Sequence, residues 1–291
     1  MVERMRQRPT TLAVVLLVAV TAAWGSTFVL VKEAVGHLPV TSFLALRFLL
    51  ATGVLVAIRP GTLFRLGRRE WVEGALLGLA LTAGYLLQTD GLRSTPAAVS
   101  GFITGLEVVL TPILGWVLLR HRLRPLTWAA VGLATVGLAL MSLHGAALGT
   151  GELLTLASAA CFALQIVGLG RWSSGLDVYG VATVQLLTVG LLSLAVALPG
   201  GVVVPTNATD WTAILVTALA ATAFAFVVQT WAQSLISPTR AAIVFTLEPL
   251  FAAAVAFIAG ERLGWPLLVG GFLVVAAMFL VDARAKPGLA R

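Results

Sequence analysis

Ten long apolar runs constrain this chain more than any other feature. Each is roughly 20 residues long, which is the length that an α-helix needs to cross the hydrocarbon core of a bilayer. Backbone hydrogen bonds must close within a segment that water cannot reach, so the runs predict helices, and they lack the alternation typical of barrel strands. The predicted spans are 11–31, 40–58, 71–90, 96–119, 125–143, 150–170, 178–198, 210–233, 238–259 and 265–282.

The composition excludes an ordinary soluble domain. Of 291 residues, 59% are hydrophobic and only 11% are charged, whereas soluble domains carry about 25% charged residues. The net charge of +7 is distributed over short loops and not along a basic helix, and no metal-ligand spacing or nucleic-acid motif is present. The sequence therefore predicts an integral membrane protein with no cofactor, no metal and no nucleic-acid partner.

The first residues resemble the start of a secretory signal, with a basic segment followed by an apolar one. The apolar run, however, continues from Thr11 to Val31, about 21 residues, which is a spanning length. We therefore expect the first helix to remain uncleaved.

Loop charge predicts the orientation, because cytoplasmic loops carry an excess of Lys and Arg. If the N-terminus is cytoplasmic, 15 cations fall on the cytoplasmic side and 3 on the outer side, with Arg47 inside a span. The sequence therefore predicts a cytoplasmic-membrane protein with both termini in the cytoplasm. The cytoplasmic set is Arg4, Arg6, Arg8, Arg59, Arg65, Arg68, Arg69, Arg120, Arg122, Arg124, Arg171, Arg240, Arg284, Lys286 and Arg291, and the outer set is Lys32, Arg93 and Arg262.

The two halves of the chain match each other, and TGLEVVLTPILG recurs as FTLEPLFAAAVA 141 residues later. Nearer the start of each half the offset is 138. Five spans is an odd number, so the second copy must enter the membrane upside down, as in many secondary transporters. The matched positions are Gln88 with Gln229, Glu107 with Glu248, Trp24 with Phe162, and Arg47 with Gln185.

These observations predict an all-α integral membrane protein. Its ten transmembrane helices would form two inverted five-helix repeats, residues 11–143 and 150–282, around a central cavity.

An ordered set of residues gives the chain a resemblance to a known family, the EamA-domain type of the ten-helix drug/metabolite transporter superfamily. The resemblance extends from Ala23 to about Leu280. It implies a cytoplasmic-membrane exporter of metabolites, amino acids or drugs, with a central cavity between the halves. The residues that carry it are Trp24, Gly25, Phe28, Lys32, Pro39, Arg47, Phe48, Glu107, Glu248 and Pro249.

Glu107 belongs to a polar stripe with Ser100, Thr104 and Thr111, spaced so that all four share one helix face. Such a stripe avoids lipid and faces the bundle interior or a cavity. Because an apolar medium favours the neutral form of a carboxyl group, Glu107 is a candidate site for proton coupling. A hydrogen-bonded structural glutamate is an equally weighted alternative.

Glu248 precedes Pro249 on a helix face that is otherwise small and apolar. A proline within a helix bends the chain, so we expect a structural role for this pair. Glu107 lacks an adjacent proline, since Pro112 comes five residues later. The two glutamate helices are therefore expected to kink differently.

The remaining polar candidates are Arg47 and three glutamines. Arg47 can bind a substrate carboxylate, but reaching out to the headgroups or pairing with a glutamate is favoured over substrate contact. Gln88, Gln165 and Gln229 can orient a polar substrate, or can join helices through amide hydrogen bonds.

Trp24 and Phe28 lie one helical turn apart, deeper than interfacial aromatic residues usually lie. They can line a cavity wall, although core packing is the commoner role for such a pair.

A secondary transporter that works by alternating access, with the proton as a candidate coupling ion, is the function that these features favour. An uncoupled facilitator or channel is the alternative. An intramembrane enzyme is disfavoured, because all three histidines, His37, His121 and His144, fall in loops. The predicted partners are a small-molecule substrate, the lipid bilayer and, as a candidate coupling ion, the proton. No motif indicates an oligomeric state.

Overall fold

The computed structural model describes residues 2–119, 125–142, 149–172, 175–236, 241 and 244–282, and within these ranges it contains helices and loops but no strand. Several sequence-predicted features lie outside them. These are the first residues of the predicted span 238–259, together with Arg120, His121, Arg122, Arg124, His144, Arg240, Arg284, Lys286 and Arg291.

The helices follow one another with short connections. They are α1 (Val2–His37), α2 (Val40–Ile58), α3 (Thr62–Arg65), α4 (Arg68–Leu92), α5 (Ala97–Gly105), α6 (Glu107–Leu119), α7 (Pro125–Ser142), α8 (Thr150–Trp172), α9 (Val178–Ala197), α10 (Ala208–Ala218), a π-helical segment (Leu219–Phe224), α11 (Ala225–Leu235), α12 (Glu248–Ile258) and α13 (Trp265–Asp282).

Six helical stretches are long and apolar enough to cross a bilayer, judged by length and composition. Three shorter apolar helices lie within α7, α12 and α13, and α4 has 25 residues but falls outside the set of six. The chain is therefore a multi-pass membrane protein, and the full count of ten crossings stays a prediction. The six stretches are Thr10–His37, Val40–Ile58, Ala97–Leu118, Thr150–Trp172, Val178–Gly200 and Ala208–Leu235.

The most extensive packing joins helices of the first half of the chain to helices of the second half. In these pairs α7 packs on α13, α4 on α8 and α9, α2 on α9, and both α1 and α5 on α12. The two halves thus share one body, and any cavity at the centre is bounded by helices from both.

Small residues allow the closest of these contacts. A Cβ added at Gly25 of α1 would lie 2.6 Å from the backbone oxygen of Glu248, and one at Gly101 of α5 would lie 2.5 Å from the Cβ of Ala252. Helix α12 is therefore held between α1 and α5 at backbone contact, as small residues permit in membrane helices.

Polar contacts tie the helix ends together. Where α1 ends, Lys32 Nζ donates to the backbone oxygen of Thr95 at 2.7 Å. The Glu261 carboxylate accepts from the backbone N–H groups of Ala97 and Ala98, which caps α5 from the opposite half of the chain. At the end of α2, Arg59 forms an ion pair with Asp177 at 3.1 Å.

Candidate functional site

A cavity lies between the two halves of the chain, and the empty space in and around it, including open solvent at its mouth, is about 590 Å³. Its walls combine aromatic, aliphatic and polar side chains, as small-molecule sites do. The lining residues are Trp24, Thr27, Phe28, Val31, Arg47, Leu81, Tyr85, Gln88, Leu92, Thr104, Glu107, Phe162, Gln165, Ile166, Phe226, Gln229 and Glu248.

The structure brings eight of the nine residues predicted to line a cavity to this one site: Trp24, Phe28, Arg47, Gln88, Thr104, Glu107, Gln165 and Gln229. Ser100 is the exception. It is fully buried away from the cavity, and its hydroxyl has no hydrogen-bond partner in the described part of the chain. Glu248, for which a structural role was expected, also lines the cavity.

Most of the lining residues occur as pairs separated by one of the two repeat offsets, 138 or 141. The lining therefore follows the sequence match between the halves, and each half contributes equivalent positions to the same cavity. The pairs are Trp24 with Phe162, Thr27 with Gln165, Phe28 with Ile166, Tyr85 with Phe226, Gln88 with Gln229, and Glu107 with Glu248.

Glu107 and Glu248 each stand at the first residue of a half-helix. The predicted single helix 96–119 is divided at Leu106 by a tight 3₁₀-like turn, and the same turn occurs at Leu247. Both glutamate residues are only 5% exposed, and both side chains line the cavity. The same two hydrogen bonds form each turn. In the first half, Leu106 N donates to Ile103 O (3.1 Å) and Val109 N to Leu106 O (2.9 Å). In the second half, Leu247 N donates to Val244 O (3.1 Å) and Leu250 N to Leu247 O (3.1 Å).

The two prolines do not distinguish these half-helices in the expected way. Pro249 lies in the first turn of α12, where its missing N–H costs no intrahelical bond. Pro112 lies inside α6, six residues after the turn at Leu106. The helix is therefore divided at the same register in both halves, with or without an adjacent proline.

The π-helical segment Leu219–Phe224 holds two of the cavity residues in place. The indole Nε1 of Trp24 donates to the backbone oxygen of Ala221 at 2.8 Å, and Nε of Arg47 donates to Oγ1 of Thr222 at 2.8 Å. A π-helix frees backbone carbonyls from the usual ladder, and such segments are frequent at functional sites. Here a backbone carbonyl of the segment, that of Ala221, accepts from the Trp24 indole.

Amide side chains connect neighbouring helices around the cavity. Gln165 donates to Oε1 of Gln185 at 2.9 Å, Gln229 donates to Oε1 of Gln165 at 3.3 Å, and Gln88 donates to Thr104 at 3.0 Å. The side-chain oxygen of Gln229 is buried and has no hydrogen-bond partner among the described residues. The amides thus both join helices and leave one acceptor available beside the cavity.

Aromatic side chains form a continuous wall that the sequence patterns only partly indicated. Tyr85 packs edge-on against Phe162 with ring centroids 5.1 Å apart, and Trp24 packs against Phe226 at 5.8 Å. The sequence patterns do not identify Tyr85, Phe162 and Phe226 as site residues. The repeat register contains the missing information, because Phe162 is the match of Trp24 and Phe226 is the match of Tyr85.

No group of three or more His, Cys, Asp or Glu among the described residues could hold a metal ion. The chemistry of the cavity therefore rests on one guanidinium, two carboxyl groups, amides, hydroxyls and aromatic faces.

Comparison with known proteins places this architecture in a family. The model of the EamA-like transporter family matches the chain twice, at residues 11–143 and 149–282. The chain belongs to this family. It is thus a membrane transporter by family, in agreement with the resemblance found in its sequence.

Relatives of this EamA-like transporter extend over nearly its whole length. An "Uncharacterized transporter" of Archaeoglobus fulgidus is 31% identical over 270 residues, which is 92% of this chain and 85% of that protein. The "Uncharacterized transporter YvbV" of Bacillus subtilis is 27% identical, covering 97% of this chain and 95% of its own length. A crystal structure 20% identical in sequence has the same fold, with a TM-score of 0.70 over 95% of this chain and 99% of its own.

Replacing Trp24 by phenylalanine is expected to destabilise this transporter by about 1 kcal/mol, the usual net worth of one hydrogen bond. Phenylalanine keeps an aromatic ring at this position, although a smaller one, but the Ala221 carbonyl loses the indole donor. Thermal unfolding in detergent measures the change. Trp265→Phe is the matched control, because Trp265 is 70% exposed. Equal melting temperatures for the two variants would contradict the role given to the Trp24 contact.

Proposed function

We propose that the chain is a secondary transporter that exports small metabolites, amino acids or drugs across the cytoplasmic membrane by alternating access. The observation that carries the proposal is the cavity lined by register-matched residues of both halves. In secondary transporters the substrate site lies at the interface of two repeats, which rock against each other around it.

The proposed architecture is two inverted five-helix units, residues 11–143 and 150–282. In this arrangement α4, α7, α12 and α13 cross the bilayer together with the six apolar stretches, which gives ten crossings and places both termini in the cytoplasm. The matched turns before Glu107 and Glu248 support the equivalence of the units. The packing of α2 on α9 and of α7 on α13 does so too, because each of these pairs joins equivalent helices.

Proton coupling through Glu107, with Glu248 as its partner, completes the proposal. Buried acids within a membrane domain commonly belong to proton relays. Both carboxyl groups face the substrate cavity, so a proton and a substrate can compete for, or share, the same space.

Flux in proteoliposomes tests the function. The purified protein is reconstituted, and radiolabelled amino acids and ethidium are followed with an inward or outward pH gradient or with none. We expect at least one probe to move more than tenfold faster than in protein-free liposomes, and to accumulate only when a pH gradient is imposed. Flux that is rapid but indifferent to the gradient would instead identify a facilitator or channel. Rates equal to those of protein-free liposomes for every probe would contradict transport of these substrate classes.

A further inference from the structure

Arg47 is a buried cation with no counter-ion among the residues that the structure describes. Its side chain lies in the middle of the bundle with the residue only 3% exposed, and Nε donates to the Thr222 hydroxyl at 2.8 Å. No carboxylate of the described residues lies within 4.0 Å of its guanidinium nitrogens. Among the described residues Arg47 therefore has no ion pair, and its side chain is enclosed within the bundle.

The surroundings of Arg47 hold the guanidinium in place but do not neutralise it. Its central carbon lies 5.1 Å from the ring centroid of Tyr85 and 5.2 Å from that of Phe48. Ring faces attract a cation weakly compared with an anion, and a buried charge is usually paired. The side chain lines the cavity, so the missing partner can arrive from there.

The matched position in the other half shows that the architecture does not require a charge at this place. The counterpart of Arg47 is Gln185, which is buried and neutral. The amide of Gln185 is satisfied within the protein, since it accepts from Gln165 at 2.9 Å and donates to the Val181 backbone oxygen at 3.4 Å. At these matched positions, Gln185 joins helices through its amide in the second half. Arg47 instead presents a guanidinium to the cavity in the first half.

We propose that Arg47 is the anion-binding subsite of the cavity, and that the substrates are carboxylates with an aromatic or apolar body. This inference rests on the proposed transport function. The carboxylate pairs with the Arg47 guanidinium, beside the Thr222 and Tyr85 hydroxyls that also contact it, while the body packs on the wall formed by Trp24, Tyr85, Phe162 and Phe226.

A carboxylate fits better than a phosphate. Arg47 is the only Lys or Arg among the described lining residues. One guanidinium matches the single charge and two oxygens of a carboxylate, whereas a phosphate dianion would remain half neutralised in a cavity that also holds two acids.

Three probes of one shape and different charge test the inference: 3-phenylpropionate, its neutral amide 3-phenylpropanamide and the cation 3-phenylpropylamine. Binding to the purified protein is measured by thermal shift and by tryptophan fluorescence. Phenyl phosphate is included as the phosphate arm. We expect wild type to bind the carboxylate at least tenfold more tightly than the amide, the amine or phenyl phosphate.

Arg47→Gln is expected to remove the preference for the carboxylate, and Arg47→Lys to keep part of it. Arg93→Gln, which removes an exposed cation, is the control and should bind all four probes as wild type does. If the amide binds wild type as tightly as the carboxylate, the inference is wrong whether or not the Arg47 variants fold. A carboxylate preference that survives in folded Arg47→Gln would also overturn it, and tighter binding of phenyl phosphate would replace the carboxylate class by a phosphate class.

Flux of the same probes separates the inference from the function on which it rests. Carboxylate binding that depends on Arg47, together with no movement of any probe or amino acid in proteoliposomes, would contradict transport and leave the anion subsite in place. Equal flux of carboxylate, amide and amine would support transport and contradict the anion subsite.

Discussion

Replacing Gly25 by alanine is expected to lower the melting temperature by roughly 3–10 °C, as about 1–3 kcal/mol of overpacking would in a chain of this size. The added carbon would lie 2.6 Å from the Glu248 backbone oxygen, 2.7 Å from Cβ of Phe251 and 2.9 Å from the Ala252 nitrogen. Two of these atoms belong to the backbone, so no side-chain rotation can relieve the contact. Helix α12 must move away from α1, and Glu248 moves with it.

The effect on transport is expected to be larger than the effect on stability. The contact lies at the first turn of α12, beside a carboxyl group of the cavity, so a small displacement changes the site itself. We expect at least a tenfold loss of flux in proteoliposomes from protein that still folds. Gly53→Ala is the matched control, because nothing lies within 4 Å of a Cβ at Gly53 of α2. Alanine favours a helix over glycine by about 1 kcal/mol, so this variant should be at least as stable as wild type. Wild-type flux and melting temperature for Gly25→Ala would show that α1 and α12 are not packed at backbone contact.

Helices could be predicted from the sequence because the apolar runs leave the backbone no other way to satisfy its hydrogen bonds. The turns within those helices could not. Leu106 and Leu247 are good helix formers, and their side chains do not indicate a 3₁₀ turn. The turns are matched in both halves, although only one has a proline beside it, so local propensity does not set them. Gly25 and Gly101 pack against α12, and this contact between distant helices cannot be predicted from any one apolar segment of the sequence.

The candidate site could be predicted where a polar residue interrupts an apolar run, as at Gln88, Glu107 and Gln165. Such residues must avoid lipid, so their placement follows from solvation alone. Aromatic lining residues such as Tyr85 carry no comparable signal, because a core and a cavity wall look alike in sequence. Only the repeat register distinguishes them, by pairing each with a residue of the other half.

Glu248 follows a turn that its sequence pattern does not reveal. Its expected structural role depended on a small, apolar face counted at continuous helical spacing through Val244, Glu248 and Ala252. The turn at Thr246 and Leu247 breaks that spacing, so residues before and after it do not share one face. Ala252 packs against Gly101 of α5, while the Glu248 side chain lines the cavity.

Replacing Glu107 by glutamine is expected to abolish substrate accumulation driven by a pH gradient, with a loss of tenfold or more, while exchange of labelled for unlabelled substrate continues. A group that carries a proton through a cycle must bind and release it, and a glutamine side chain can do neither. The amide retains the size and hydrogen-bonding capacity of the acid, so the cavity stays intact for exchange. The measurement is the same vesicle preparation run in both modes, with the substrate found in the flux screen.

Glu248→Gln is predicted to give the same separation of the two modes, because its carboxyl group faces the same cavity from the equivalent half-helix. Glu33→Gln serves as control for the charge change alone, since Glu33 is exposed near the end of α1. If accumulation fails only in Glu107→Gln, the equivalent positions have diverged, and Glu248 acts through its packing at the first turn of α12. If both single variants accumulate substrate as wild type does, neither acid is required by itself for coupling, and the role proposed for Glu107 is contradicted.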